Sequence, residues 1–133
     1  MLDVTVRLGR ATPVVFVADV KASAKFYRDS LGFTIDFIHG DPPFYGSVSR
    51  GGACLHLKFV HEPVVTPGPD DCESFIMAFV EVDDVDALCA EYIATGVTFS
   101  QPLQNEEWGG RDFIVRDPDG NMICFARSEV RQC

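Results

Sequence analysis

VFVADVKASAKFYRDSLGF, residues 15–33, and FVEVDDVDALCAEYIATGV, residues 79–97, are two versions of one pattern. Asp19 and Val20 in the first match Asp84 and Val85 in the second, and Tyr27 matches Tyr92. Gly32 matches Gly96 after a slip of one residue. Each segment reads as a strand, an Asp-rich helix start, a helix and a glycine stop. Val20, Ala24, Tyr27 and Leu31 fall four, three and four residues apart, while Val85, Leu88, Cys89 and Tyr92 follow the i, i+3, i+4, i+7 spacing. Both spacings make one apolar stripe along a helix, the stripe that faces a core. The glycines suit the left-handed backbone that closes a helix.

Short strands follow each helix. The first half gives 33–38 (FTIDFI), 44–49 (FYGSVS) and 53–59 (ACLHLKF), and the second gives 97–100, 111–116 (RDFIVR) and 121–126 (NMICFA). DPDG joins the last two and carries hairpin-turn chemistry. The expected class is therefore α+β, two βαβββ modules in one chain. A single domain spans 1–133, with module 1 at about 10–60, a linker at 61–71 and module 2 at about 72–128. The linker, HEPVVTPGPDD, has three prolines and a glycine and makes a poor helix or central strand. VVFV at 14–17 and FIMAFV at 75–80 do not alternate as a strand with one wet face does. The second face then needs a cover: a ligand, a second subunit, or the sheet curling on itself.

The composition narrows the functional classes. No apolar run approaches the roughly 18 residues that span a bilayer, and the first residues show no charged leader with a long apolar segment. A formal net charge of −9 argues against nucleic acid as a partner and suits a cationic ligand. The five cysteines are odd in number and form no CxxC pair, which points to a reducing cytoplasmic compartment. No Ser-His-Asp order, HExxH or phosphate-binding loop is present.

The βαβββ repeat, the ADVKASAKFYRDSLGF segment and the terminal RDPDGNMICF segment resemble the vicinal oxygen chelate superfamily, which includes glyoxalase I, extradiol dioxygenases and bleomycin-resistance proteins. The resemblance covers roughly residues 10–128 and implies a mixed sheet curved around a groove. TPVVFVADV at 12–20 and WGGRDF at 108–113, followed by DPDGN, resemble the bleomycin-resistance branch most. One glycine is extra here, and Asp112 stands where that branch has Glu. The superfamily's metal enzymes hold their ion at four strand positions, which correspond here to Thr12, His56, Met77 and Cys124. Only His56 is a routine ligand, so the resemblance implies a metal-free binder without cofactor, and a homodimer with grooves at its interface. LDVTVRL, near the N-terminus, is a candidate for pairing across that interface.

The expected ligand-binding residues are Trp108, Arg111, Phe16, His56, Phe75, Met77, Phe79 and Cys124, with no catalytic or metal residues. Trp108 follows two glutamates and precedes two glycines, poor company for a core position. It reads as a stacking wall against a groove lined by Phe16, Phe75, Met77 and Phe79, or else as a packing residue. Glu106, Glu107, Arg111 and Asp112 read as a solvated loop or as a polar rim for a cationic ligand. His56 is a groove-lining residue, a metal ligand or an acid–base group, and Cys54, His56 and Cys124 together would make a soft zinc site. The leading reading is sequestration of a small molecule. The alternatives are a metal-dependent lyase, isomerase or dioxygenase of the glyoxalase type, and an accessory domain that binds a protein.

Overall fold

The computed structural model describes residues 5–62 and 76–127. The chain runs β1 (Val14–Val17), α1 (Val20–Asp29), β2 (Thr34–Gly40), β3 (Pro43–Arg50) and β4 (Ala53–Phe59). The second half repeats the order with β5 (Ile76–Glu81), α2 (Val85–Ala94), β6 (Thr98–Asn105), β7 (Arg111–Arg116) and β8 (Met122–Arg127). The strands form two mixed four-stranded sheets, ordered β1-β4-β3-β2 and β5-β8-β7-β6. In each, the first strand lies parallel to the last and the remaining pairs are antiparallel.

The repeat is visible in the caps. Asp19 accepts from the Ala22 amide at 3.0 Å, and Asp84 accepts from the Ala87 amide at 3.0 Å. Each aspartate satisfies one of the amides that a helix start leaves without a partner. Gly32 and Gly96 both take φ of 76°, where an L side chain is disfavoured, and the chain turns out of each helix there.

Two strands run longer than the sequence implies. β2 continues to Gly40, and β6 continues through QPLQN to Asn105. Pro102 is tolerated because β6 is an edge strand whose pairing with β7 is irregular between Gln101 and Gln104. The polar composition of that stretch hides a strand whose outer side pairs with no other strand among the described residues. β5 begins at Ile76, and the expected linker lies mostly outside the described residues, as does Phe75.

One buried cluster takes in both halves. Val15, Val17, Leu55 and Leu57 from the first sheet meet Ala78, Phe113, Val115, Ile123 and Phe125 from the second, with Tyr27 and Tyr92 from the helices among them. The repeat-related tyrosines cross between modules. The Tyr27 hydroxyl donates to Asp117 Oδ2 at 3.0 Å, in the turn between β7 and β8. The Tyr92 hydroxyl donates to the Leu31 carbonyl at 2.8 Å, just beyond α1. Arg50 reinforces the second crossing by donating to Leu31 O and to both oxygens of Glu91. Asn121 donates to the Phe16 carbonyl, and Asp119 accepts from the Ala18 amide, so the DPDGN turn is tied to module 1 as well.

Burial pushes the Tyr92 phenol up to about 12 and the Tyr27 phenol well above its ordinary value, the latter helped by the Asp117 carboxylate. A phenol that holds its proton more tightly in the folded chain contributes stability that is full below about pH 10 and is lost as pH rises through the folded value. Tyr92→Phe removes one buried hydrogen bond and should cost about 1 kcal/mol at pH 8. It also removes the alkaline penalty, on the order of 2 kcal/mol by pH 11.5. Urea unfolding at both pH values should therefore show the variant less stable at pH 8 and as stable as the wild type, or more so, at pH 11.5.

Candidate functional site

Because the two sheets share a core on their helix sides, each has a second face turned away from that core; on the second sheet this outer, or open, face is itself largely buried, with Ile114, Met122, Cys124 and Ala126 no more than 4% exposed. On the second sheet, register carries Phe79, Cys124, Ile114 and Gln101 across β5, β8, β7 and β6 in one row. Ile114, Met122, Cys124 and Ala126 form a small apolar cluster there, separate from the main core. Phe79 stands beside it, 55% exposed.

Asp112 lies on the same face as Ile114 and is buried. Gln101 Nε2 donates to its carboxylate at 2.6 Å. Burial pushes the Asp112 carboxyl above its ordinary value, and the adjacent Glu106 carboxylate pushes it the same way, against the Gln101 bond. Gln104 donates to Glu106 at 2.7 Å. The result is an acid pair held by two amides. Cys124 senses it: burial first, then the charges of Asp112 and Glu106, push its thiol up to about 12.

Trp108 sits in the loop between β6 and β7. The Glu106 amide donates to Gly110 O at 2.7 Å and the Gly109 amide to Glu106 O at 3.1 Å, which closes the loop into a tight turn. Gly109 has φ of 102°. A Cβ at Gly110 would fall 2.1 Å from the Trp108 ring, so the indole folds directly over that residue. The two glycines have separate tasks: one gives the turn, the other the space. The indole is left 50% exposed.

The first sheet's open face is more polar. Its rows are Phe37, Ser47, His56 and Val14, then His39, Tyr45, Lys58 and Phe16, each across β2, β3, β4 and β1. The Tyr45 hydroxyl meets His56 Nδ1 at 2.9 Å. Ser47 and Ser49 both donate to Asp36, at 3.0 and 2.8 Å.

The expected groove residues are thus divided. Phe79, Cys124 and Trp108 belong to module 2, with Phe79 and Cys124 on its open face, while Phe16 and His56 lie on the first sheet's open face. Met77 sits at a bulge between Ile76 and Ala78, which breaks the alternation, and packs against the helix-side core. Arg111 points the other way. It lies on the helix side, donates to Asp86 at 2.8 Å and to Asn105 at 3.0 Å, and so does not line the open face. Asp86, held below its ordinary carboxylate value first by the Arg111 hydrogen bond, completes that ion pair at the start of α2. A separate cleft of about 780 Å³ lies between the modules, lined by Arg10, Arg50, Phe79, Asp83, Leu88 and Tyr92 among others. Phe79 is the one expected site residue that reaches it.

Comparison with known proteins accounts for this architecture. Residues 7–125 match the model of the glyoxalase/bleomycin resistance protein/dioxygenase superfamily. The chain belongs to that superfamily. It is 30% identical to the bleomycin resistance protein of Geobacillus stearothermophilus, over 87% of this chain and 94% of that one. The bleomycin-binding protein of Streptomyces verticillus, solved with copper(II)-bleomycin, is 32% identical, with a TM-score of 0.73, covering 94% of this chain and all of that one. A glyoxalase-related enzyme from Clostridium phytofermentans shares the fold at 19% identity, with a TM-score of 0.75 over 93% of this chain and 98% of that one. Fold alone therefore does not separate binders from enzymes in this superfamily.

The superfamily's metal enzymes raise the question of an ion. The residues at the four ligand positions do not suit one. Thr12 supplies a neutral hydroxyl, and the Met77 thioether is packed against the main core. His56 has its Nδ1 hydrogen-bonded to the Tyr45 hydroxyl, so Nε2 is the one ring nitrogen it could offer an ion. Cys54 and His56 lie on the first sheet and Cys124 on the second, so the three do not come together within one chain. Among the described residues no group of three or more His, Cys, Asp or Glu side chains has the arrangement of a metal site.

The chemistry of Cys124 gives a direct check. With its thiol at about 12, roughly one molecule in ten thousand is thiolate at pH 8, and Cys124 is 3% exposed. Iodoacetamide at pH 8 followed by peptide mapping should leave Cys124 unmodified in the folded protein and modify it fully in urea.

Proposed function

We propose that this protein sequesters a flat, cationic small molecule of the bleomycin type, without transforming it and without a metal cofactor, in the cytoplasm. The ligand lies in an apolar, aromatic groove between the open sheet faces of two subunits of a homodimer. The observation that carries this reading is the exposed edge of the second sheet and the loop beside it. A half-exposed indole stands two residues from Glu106, which forms an acid pair with Asp112, and Phe79 is exposed on the same sheet. Stacking surface and negative charge in close company are what a planar cation needs. The relatives named for bleomycin binding and resistance support the choice of ligand class.

The open faces also support a partner. Val14, Phe37, Ile76, Phe79 and Trp108 are all at least 37% exposed, and a second copy covers such faces at low cost. The N-terminal stretch is a candidate for the contact, since Val6 and Leu8 are 77% and 94% exposed. Arg111 keeps a role in this reading through its ties to Asn105 and Asp86, which anchor the base of the Trp108 loop. Glycine-held loops of this kind can close on a ligand without rebuilding the sheet beneath them.

Trp108 is the sole tryptophan, so its emission reports the groove. Titration with metal-free bleomycin should quench or shift that emission with a micromolar or tighter Kd, and the affinity should fall as salt rises. Calorimetry on Trp108→Ala should show binding weakened by roughly tenfold or more. Equal affinity in the variant, or no binding by the wild type below millimolar ligand, removes the stacking role.

A further inference from the structure

The repeat relates the two seams between the modules, yet they are not filled alike. In the alignment that matches Asp19 with Asp84, Phe16 corresponds to Glu81 and Ala18 to Asp83. β1 and β5 are the edge strands of their sheets. The Val17 carbonyl accepts from the Val60 amide, and the Val82 amide donates to the Ala126 carbonyl, so Val17 and Val82 bond inward to the neighbouring strand. By strand alternation the Phe16 and Glu81 carbonyls, and the Ala18 and Asp83 amides, point off the free edge.

On module 1 the β7–β8 turn satisfies that edge. Asn121 Nδ2 donates to the Phe16 carbonyl at 3.0 Å, and Asp119 Oδ1 accepts from the Ala18 amide at 2.8 Å. On module 2 the corresponding turn is β3–β4, and it is too short to do the same. Residues 117–121 separate the last paired positions of β7 and β8, Arg116 and Met122, whereas Gly51 and Gly52 alone separate Arg50 and Ala53. Neither glycine has a side chain to offer, and a Cβ at either would meet nothing within 4 Å. The Asp83 amide and the Glu81 carbonyl therefore have no partner of this kind among the described residues. The cleft of about 780 Å³ lies at this place. Gly51, Gly52, Glu81 and Asp83 line it, and Leu88 and Phe125 contribute apolar surface.

We infer that this cleft binds a small molecule that carries one peptide unit and an apolar side group. The ligand's N–H donates to the Glu81 carbonyl, its carbonyl accepts from the Asp83 amide, and the side group lies against Leu88 and Phe125. In a parallel pair of strands, the N–H and C=O of one residue bridge a carbonyl and the amide two residues further on, which is the spacing of Glu81 and Asp83. Asn121 and Asp119 meet the same two groups of module 1 with side-chain atoms. The volume lies within the range of small-molecule sites. Arg10 on one wall faces acids at Glu81 and Asp83 on another, a mixed lining that favours a neutral ligand over a strongly charged one. Trp108 does not line this cleft, so binding here stands apart from the sequestration of a bleomycin-type molecule.

Proton–nitrogen NMR of the full chain, titrated with N-acetyl-leucine methylamide, tests the site. The amide resonances of Asp83, Gly51 and Gly52 should move together and saturate in the millimolar range. Methylating the leucine nitrogen of the probe removes its donor to Glu81 and should weaken binding roughly fivefold. Asp83→Pro removes the protein's donor, an amide that bonds nothing else among the described residues, and should weaken binding by a similar factor, read at Gly51 and Gly52. The probe's own methylation decides the matter if that variant does not fold. No movement of the Asp83 amide at saturating probe, or an unchanged affinity for the methylated probe, overturns the inference.

Discussion

Everything in this molecule depends on the way its two modules share one core. Tyr27 and Tyr92 occupy the same position in the repeat, and each reaches out of its own helix to a polar group of the other module. Both are wholly buried. A buried hydroxyl without a partner costs free energy, so each tyrosine is content only while the opposite module is in place. The two acceptors differ, a carboxylate for Tyr27 and a backbone carbonyl braced by Arg50 for Tyr92. The repeat conserved the donor and let each acceptor change. Burial pushes the Asp117 carboxyl up despite the donors around it, a sign of how thoroughly this contact is removed from water.

With the helix sides committed to the core, the other side of each sheet is left for function, and the two sides differ. The first sheet offers oriented hydrogen-bonding groups, His56 with Tyr45 and Asp36 with two serines. The second offers an exposed phenylalanine, Phe79, beside a buried apolar cluster, an acid pair and an indole. A ligand held between one face of each kind, as we propose, would meet stacking surface and charge on one side and hydrogen-bonding groups on the other. This is the physical reason for proposing a groove between subunits. The thiol at Cys124, held protonated beneath that face, contributes volume rather than reactivity.

The fold was legible in the sequence where signals are local. Asp19 and Asp84 start helices, Gly32 and Gly96 end them, and the Asp117–Gly120 turn joins β7 to β8, with the Gly120 amide donating to Asp117 O at 3.0 Å. The placement of Trp108 on a glycine loop was legible for the same reason. What escaped depends on partners distant in sequence. Arg111 reads as part of an acidic rim until Asp86, 25 residues earlier, is seen beneath it. Met77 alternates correctly with Phe79 until the bulge beside it turns its side chain. Tyr45 and Phe37 carry no motif, and only the strand register brings them to His56. The long β6 was hidden by its polar residues, which an edge strand accepts and a central strand does not.

The central claim is that two copies of this chain hold small molecules and return them unchanged. Native mass spectrometry of the protein with metal-free bleomycin tests it in a single experiment. The account predicts a species of twice the 14.7 kDa chain mass carrying two ligands, each released on denaturation with its original mass. A monomer that carries the ligand alone, a dimer that takes none, or a ligand recovered with an altered mass would contradict it.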